Sequence, residues 1–361
     1  MVKKRWNIHE RVFLVLIIIV LILGTLNVAK ARGWLIPEMD QIVIEDGTIY
    51  LDSLSLEQKI SQMVVVHGGQ WNLKPWKDMQ IGGFHLFALE NPEVYKDIIK
   101  KFQQGMQVPF FVTVDYEGCL NPFANFINAT VASEIESAGD AYEKGSIDGK
   151  LLHSLGFNLN FAPVVDLNDD IWGCRSFPGD EENIAKLAEA YILGLQSNDV
   201  IATAKHYPGK TLVAKDPHKD IVFASINDAD TLPYEYLTEK DDIGSVMVSH
   251  IITNGTIDSL GIPSVVSSDV IMPLKESFSG LIISDEINML GLKDFYETID
   301  EMYIAVFAAG NDIVLNFNED PNEIYRMILI VKSAVENGDI PLEQIDASVT
   351  KILELKGFNV E

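Results

Sequence analysis

This sequence predicts an α/β fold, a (β/α)8 TIM barrel forming a single catalytic domain, and three observations carry the prediction. Eight short apolar runs rich in Val, Ile and Phe alternate with longer segments of helical period, as parallel strands covered by helices do. Polar side chains stand at or just after the ends of these runs (His67, Asp115, Asp166, Lys205 with His206, His250, Asp285, Asn316), where barrel enzymes collect their chemistry. The 361 residues, 47% of them hydrophobic, suffice for a barrel of roughly 250 residues with extensions, although length alone would equally suit two domains.

Residues 1–32 hold Lys3, Lys4, Arg5, Arg11, Lys30 and Arg32 against Glu10, a surplus of five positive charges that deepens the remainder from −26 to −31. Val12 to Leu23 are uninterruptedly apolar, with little polarity through Val28. The segment reads as a membrane anchor or a secretory signal. Ala29-Lys30-Ala31 has the small-x-small pattern of a cleavage site, whereas an apolar stretch of about 17 residues exceeds that of most cleaved signals. Both readings stay open: an anchor over residues 12–28, or secretion after cleavage near Ala31. Basic charge before the span puts the acidic remainder outside the cytoplasm. That acidity argues against nucleic acid and anionic lipid as partners, because neutralising phosphates takes clustered Lys and Arg.

Residues 33–53 read as a linker with a short hairpin around Asp46-Gly47, a lid or plug ahead of the main domain at 54–361. Ser55-Leu56-Glu57-Gln58 offers a capping box for the first barrel helix. The eight runs are Met63–Val66, Gly83–Phe87, Phe110–Val114, Leu159–Val165, Val200–Ala204, Ser245–Val248, Leu281–Ile283 and Asp312–Leu315. Between them, Ile184, Leu187, Ala188, Tyr191 and Leu195 recur at the spacing of one buried helix face. A doubly wound open sheet would show a phosphate-binding glycine pattern after its first strand, and Val66-His67-Gly68-Gly69 is not one. No zinc-ligand spacing, Walker loop or internal repeat occurs. Cys119 and Cys174 are the two cysteines; a disulfide and two free thiols are both open, since separation in sequence says nothing of separation in space.

The stretch Lys205 to His218 places two proton carriers, Asp216 and His218, just beyond a strand, and Leu281-Ile282-Ile283 ends in Ser284-Asp285-Glu286. An imidazole backed by one carboxylate and facing another can run a two-step displacement at an acetal carbon. Asp285 equally fits a helix N-cap.

Further motifs join these: Asp115-Tyr116-Glu117-Gly118, Asn160 to Asp166, Arg175-Ser176-Phe177, Lys205-His206-Tyr207-Pro208-Gly209, Ser284 to Met289 and Ala309-Gly310-Asn311-Asp312. In them, over roughly Leu54–Leu355, the chain resembles glycoside hydrolase family 3, in particular its single-barrel β-N-acetylglucosaminidase (β-N-acetylhexosaminidase) branch. The resemblance implies that Asp285 is a nucleophile forming a covalent glycosyl-enzyme. It implies that His218 is acid and then base, with Asp216 orienting its ring; an imidazole of pKa roughly 6.5 gives and accepts protons near neutrality. Lys205, His206, Asp115 and Arg175 are implied to hold sugar hydroxyls, although Lys205 and Asp115 would also suit a structural ion pair at the barrel mouth. Asp166 is expected beside Lys205 or Arg175, or as a strand-end cap.

Three departures bear on the sugar. The family's second glycine and following basic residue after Asp-x-Glu-Gly are replaced by Cys119-Leu120, so one sugar-contacting arginine is lost. Cys174 stands before Arg175, where a tether to Cys119 would replace that contact. Lys210-Thr211-Leu212-Val213 and Pro217 also differ from the family's loop. The expectation is a retaining exo-glycosidase releasing terminal β-linked N-acetylhexosamine from cell-wall or similar glycans, without metal or organic cofactor. The chain's end soon after a helix at Ile345–Leu355 favours the His/Asp dyad over an acid supplied by a second domain. Rivals are a phosphorylase, a β-glucosidase or xylosidase of the same family, and an inactive glycan-binding protein.

Overall fold

The computed structural model describes residues 8–211, 220–240 and 243–361. Eight parallel strands form the centre: β1 (Val64–His67), β2 (Gly83–His85), β3 (Phe111–Val114), β4 (Leu159–Asn160), β5 (Ile201–Tyr207), β6 (Ser245–Val248), β7 (Leu281–Ser284) and β8 (Val314–Asn316). Each pairs with its sequence neighbour, and β8 returns to β1 through Val314↔Val64. At the β7–β8 seam the strand pairing is a single bridge, Ile283↔Ile313, with the Ser284 N–H donating to the Ile313 carbonyl at 2.8 Å. Side chains add to it, Asp312 Oδ2 accepting from the Ile282 N–H at 2.9 Å and Ser284 Oγ from the Leu315 N–H at 3.0 Å. All eight expected runs are therefore strands of one closing barrel.

The largest differences from expectation are at β4 and β5. The run Leu159–Val165 pairs continuously only at Leu159–Asn160, because Pro163 has no N–H to give a ladder; Val164 then bridges to Lys205 and Ser176. Strand β5 instead continues through Lys205 and His206, with its register slipping between Lys205 and Tyr207. Such an irregularity re-aims side chains, and both Lys205 and His206 face the same cavity.

Helices cover the barrel. Glu181–Gln196 buries the expected face of Ile184, Leu187, Ala188, Tyr191 and Leu195, and Leu56–Gln62 begins with a complete Ser55/Gln58 capping box. Strands and helix faces share one continuous apolar core, in which Val64, Val66, Phe84, Val112, Leu159, Ala202, Val246 and Ile282 are fully buried.

The hairpin Ile44–Glu45/Thr48–Ile49 turns at Asp46 and Gly47, both at positive φ. Asn359–Val360 adds a third strand alongside Thr48–Ile49. Lys356, just before that strand, reaches the Gly82 carbonyl at the start of β2. The hairpin therefore plugs the floor, where the strands begin, and is no lid. The helix Ile8–Ala31 is apolar enough to cross a membrane, and its most apolar window makes no buried contact with the barrel.

Candidate active site

The carboxyl ends of the strands surround a cavity of about 260 Å³ lined by Asp115, Arg175, Lys205, His206, Asp285 and Glu286, with Phe87, Phe161, Met289, Leu315 and Phe317 among its apolar walls. Five of the seven expected site residues thus converge: Asp115, Arg175, Lys205, His206 and Asp285. Asp216 and His218 lie outside the described residues. A larger hollow of about 740 Å³ opens at the floor, among Phe111, Asn158, Gly244, Lys351 and Lys356. None of the expected site residues reaches it, and it lies at the end of a barrel that serves stability. Size does not identify the site here.

Most of the polar groups are delivered by strand ends, and Arg175 by the loop after β4. Asp115 follows β3, and in extended chain residues two apart share a side, so Glu117 points the same way. Glu117 is one residue that sequence reasoning missed, and the alternation Asp115-Tyr116-Glu117 was its signal. Lys205 Nζ donates to Asp115 Oδ1 and to Glu117 Oε1, both at 2.6 Å. Arg175 grips Glu117 with two bonds, Nε to Oε2 at 2.8 Å and Nη2 to Oε1 at 2.9 Å. Two acids and two bases therefore neutralise one another, the condition under which buried charges are tolerated. The structural ion pair between Lys205 and Asp115 is formed, and yet the Asp115 side chain remains 32% exposed, against 2% for Lys205.

Electrostatics follow the geometry. Burial alone would raise Asp115 and Glu117, but Lys205 foremost, helped at Asp115 by His85 and at Glu117 by Arg175, holds both carboxyls below their ordinary values. Burial would lower Lys205, but Asp115 and Glu117 outweigh it and keep the ammonium above its usual range. Both acids and Lys205 therefore stay charged at neutral pH.

Asp166 lies near enough to Arg175 to favour its charged form, as expected, but its hydrogen-bond partner is His206, Nδ1 to Oδ2 at 3.0 Å. The reason is local: Thr211 Oγ1 also donates to Asp166 at 2.5 Å, fixing that carboxylate on the His206 side. Arg175 Nη2 lies 3.5 Å from His206 Nε2, so the network assigns the ring proton to Nδ1.

The loop carrying Arg175 is pinned by Asp169, whose carboxylate accepts the N–H groups of Trp172, Cys174 and Arg175 at 2.8–2.9 Å. Cys119 and Cys174 form a disulfide with Cα atoms 5.5 Å apart. It joins the backbone two residues after Glu117 to the residue just before Arg175. Gly118 between them is at φ +105, and a Cβ there would lie 2.1 Å from the Thr130 carbonyl oxygen; only glycine allows that approach.

On the opposite wall, Asp285 follows β7, and its Oδ1 accepts the Glu286 N–H at 2.8 Å. Burial raises Glu286 above the usual carboxyl range, although Asn288 and the Phe317 N–H partly oppose it. His250, which the sequence left open, packs behind this wall with Nε2 2.8 Å from the Glu286 carbonyl oxygen. His85, also missed, is buried in β2 and stacked near Phe317 and Phe161, at ring distances of 4.8 and 5.6 Å. Burial drives its pKa down to about 4, despite Asp115 nearby. Its signal was a lone polar residue inside an apolar run.

Among the described residues no group of three or more His, Cys, Asp and Glu side chains is placed to hold a metal ion. What the cavity offers is a carboxylate at one wall and a fixed set of hydrogen-bonding groups at the other.

Known proteins share this arrangement of elements. The chain is 28% identical over 319 residues to beta-hexosaminidase A of Pseudoalteromonas piscicida, covering 76% of this chain and 53% of that protein. It therefore spans about half the length of that relative. With a beta-hexosaminidase of Actinobacillus succinogenes it is 28% identical over 259 residues, 66% of this chain and 74% of the relative. A solved glycoside hydrolase family 3 beta-N-acetylglucosaminidase from Paenibacillus sp. superimposes with a TM-score of 0.76 at 26% identity, covering 84% of this chain and 62% of the other. Residues 55–355 match the model of the glycosyl hydrolase family 3 N terminal domain, and the chain belongs to that family.

Proposed function

We infer that the protein is an extracytoplasmic, membrane-anchored glycosidase of retaining stereochemistry that removes terminal β-linked N-acetylhexosamine, N-acetylglucosamine foremost, from cell-wall or related glycans. The observation that carries this reading is the meeting of Asp285 with Asp115, Arg175, Lys205 and His206 around one cavity. At about 260 Å³ it lies just below the few hundred to a thousand Å³ of sites for drug-sized ligands, the scale of one sugar ring. The relatives named as beta-hexosaminidases support the choice of sugar.

In the first step the Asp285 carboxylate attacks the anomeric carbon, and the leaving oxygen takes a proton from His218, whose ring Asp216 orients. In the second, His218 removes a proton from water as it displaces Asp285, restoring both groups. Asp115 is the most open of the charged groups opposite and accepts bonds from sugar hydroxyls. His206 lies at the cavity wall beside it. Lys205 and Arg175 act chiefly by holding Asp115 and Glu117 ionised and in place. The segment 12–28 is the anchor, and residues 33–53 lead into the catalytic domain at 54–361.

A panel of aryl β-glycosides tests the reading, with the N-acetylglucosaminide expected to be the best substrate. Asp285→Asn should lower kcat on the order of a thousandfold or more with the fold intact by circular dichroism. Product release that requires added phosphate would assign phosphorolysis instead. Unchanged turnover in Asp285→Asn would exclude that carboxylate as the nucleophile.

A further inference from the structure

We propose that the barrel rests on the membrane with its mouth turned toward the lipid, so that the glycan it trims is carried by a membrane-embedded lipid. The proposal rests on the reading of residues 12–28 as an uncleaved anchor.

The anchor ends against the mouth. The Lys30 carbonyl accepts from Asn322 Nδ2 at 2.9 Å, and Asn322 opens the helix Pro321–Asn337 that follows β8. Gly33, at φ +66, packs so closely there that a Cβ would lie 2.6 Å from Pro321 Cβ, an approach and a conformation that favour glycine. The Arg32 guanidinium lies 4.9 Å from the ring centre of Trp71, in the segment after β1. From this point the chain runs down the outside of the barrel, past a Met39 N–H to Asp78 carbonyl bond, to the hairpin at the floor. No loose linker separates the span from the mouth.

The mouth also carries the exposed tryptophans. Of the four among the described residues, Trp76 is buried in the core, while Trp34, Trp71 and Trp172 are 52%, 76% and 48% exposed. Trp34 follows the anchor directly, together with Leu35, which is 58% exposed. Trp172 sits on the loop after β4, across the mouth from β8 in an eight-stranded ring. A surface touching both Trp71 and Trp172 therefore lies over the mouth. Tryptophan is the side chain of the membrane–water interface. The charge of −31 beyond residue 32 gives no electrostatic pull toward anionic lipid, so contact must be made by apolar and aromatic side chains. A mouth held this way receives a sugar standing up from the bilayer more readily than one diffusing in solution.

The test uses the full chain in phosphatidylcholine vesicles with and without brominated acyl chains. Trp71→Phe and Trp172→Phe are each expected to remove part of the bromine-quenchable tryptophan emission; quenchable emission unchanged by both substitutions overturns the proposal. In the same vesicles, turnover of an N-acetylglucosaminyl lipid is compared with that of a soluble aryl N-acetylglucosaminide. Trp71→Ser with Trp172→Ser should lower the lipid-to-soluble ratio about fivefold with the soluble rate unchanged, and an unaltered ratio overturns the idea. Recovery of the chain from membranes without residues 1–31 overturns it as well. Quenching does not depend on turnover, so an inactive protein that still shows it would count against the glycosidase reading alone.

Discussion

On the wall built by β3, β4 and β5, two negative and two positive charges form a circuit in the order Asp115, Lys205, Glu117, Arg175, with contacts of 2.6–2.9 Å. On the wall built by β7 and β8, Asp285 and Glu286 stand among Met289, Leu315 and Phe317. The first wall neutralises its own charges and so holds its shape. The second keeps carboxyls in less polar surroundings, where burial moves Glu286 upward. The contrast teaches a division of labour. Under the proposed mechanism, the groups that only hold a sugar benefit from partners that fix them, whereas the group that forms and breaks a bond gains from a drier wall, where a substrate feels its charge more strongly.

Lys205→Met breaks that comparison hardest. It leaves Asp115 and Glu117 facing each other without their shared cation, and removing one partner of a buried pair costs about 3–5 kcal/mol. Urea denaturation of native and variant proteins measures it; a loss below about 1 kcal/mol would mean that the circuit is not what holds the wall.

Cys119→Ser with Cys174→Ser comes next. The bond closes a loop with a sequence separation of 55, for which a cost of about 2–4 kcal/mol is expected. Because it ties the backbone near Glu117 to that of Arg175, KM for an aryl glycoside should rise more than kcat falls. Equal kcat and KM in the variant would show that Asp169 alone pins the Arg175 loop.

The last effect is absent at neutral pH and confined to acid. His85 is depressed from 6.5 to about 4, so between these values the unfolded chain binds a proton that the folded one refuses. Stability is therefore complete above pH 6.5 and falls as pH drops toward 4, by on the order of 3 kcal/mol at the low end. The circuit's carboxyls lie below their ordinary values, so their contribution is lost only at still lower pH. His85→Asn should flatten the first window and leave the second; denaturation midpoints at pH 7, 5 and 3.5 separate them.

Much of this was legible in the residues. Continuous apolar runs mark strands buried on both faces, and the polar residue after each run marks the mouth, so β1 to β8 and the positions of Asp115, Lys205 and Asp285 could be read directly. Glu117 was equally available from the period of two. The Cys119–Cys174 bond was not, because no pattern in the chain measures distance in space. The pairing of His206 with Asp166 was also hidden, since it depends on where Thr211 lands after β5 slips its register.

The seam of the barrel has a consequence for biosynthesis. Since β7 meets β8 through a single bridge and the few hydrogen bonds around it, and β8 completes the ring on β1 across 250 residues of sequence, the first strand must wait for almost the whole polypeptide to be made. Until residue 316 has emerged from the ribosome, β1 and β7 are raw sheet edges. Were the chain exported during translation, as the proposed anchor implies, it would cross as an open, sticky half-cylinder, with ring closure left to the far side.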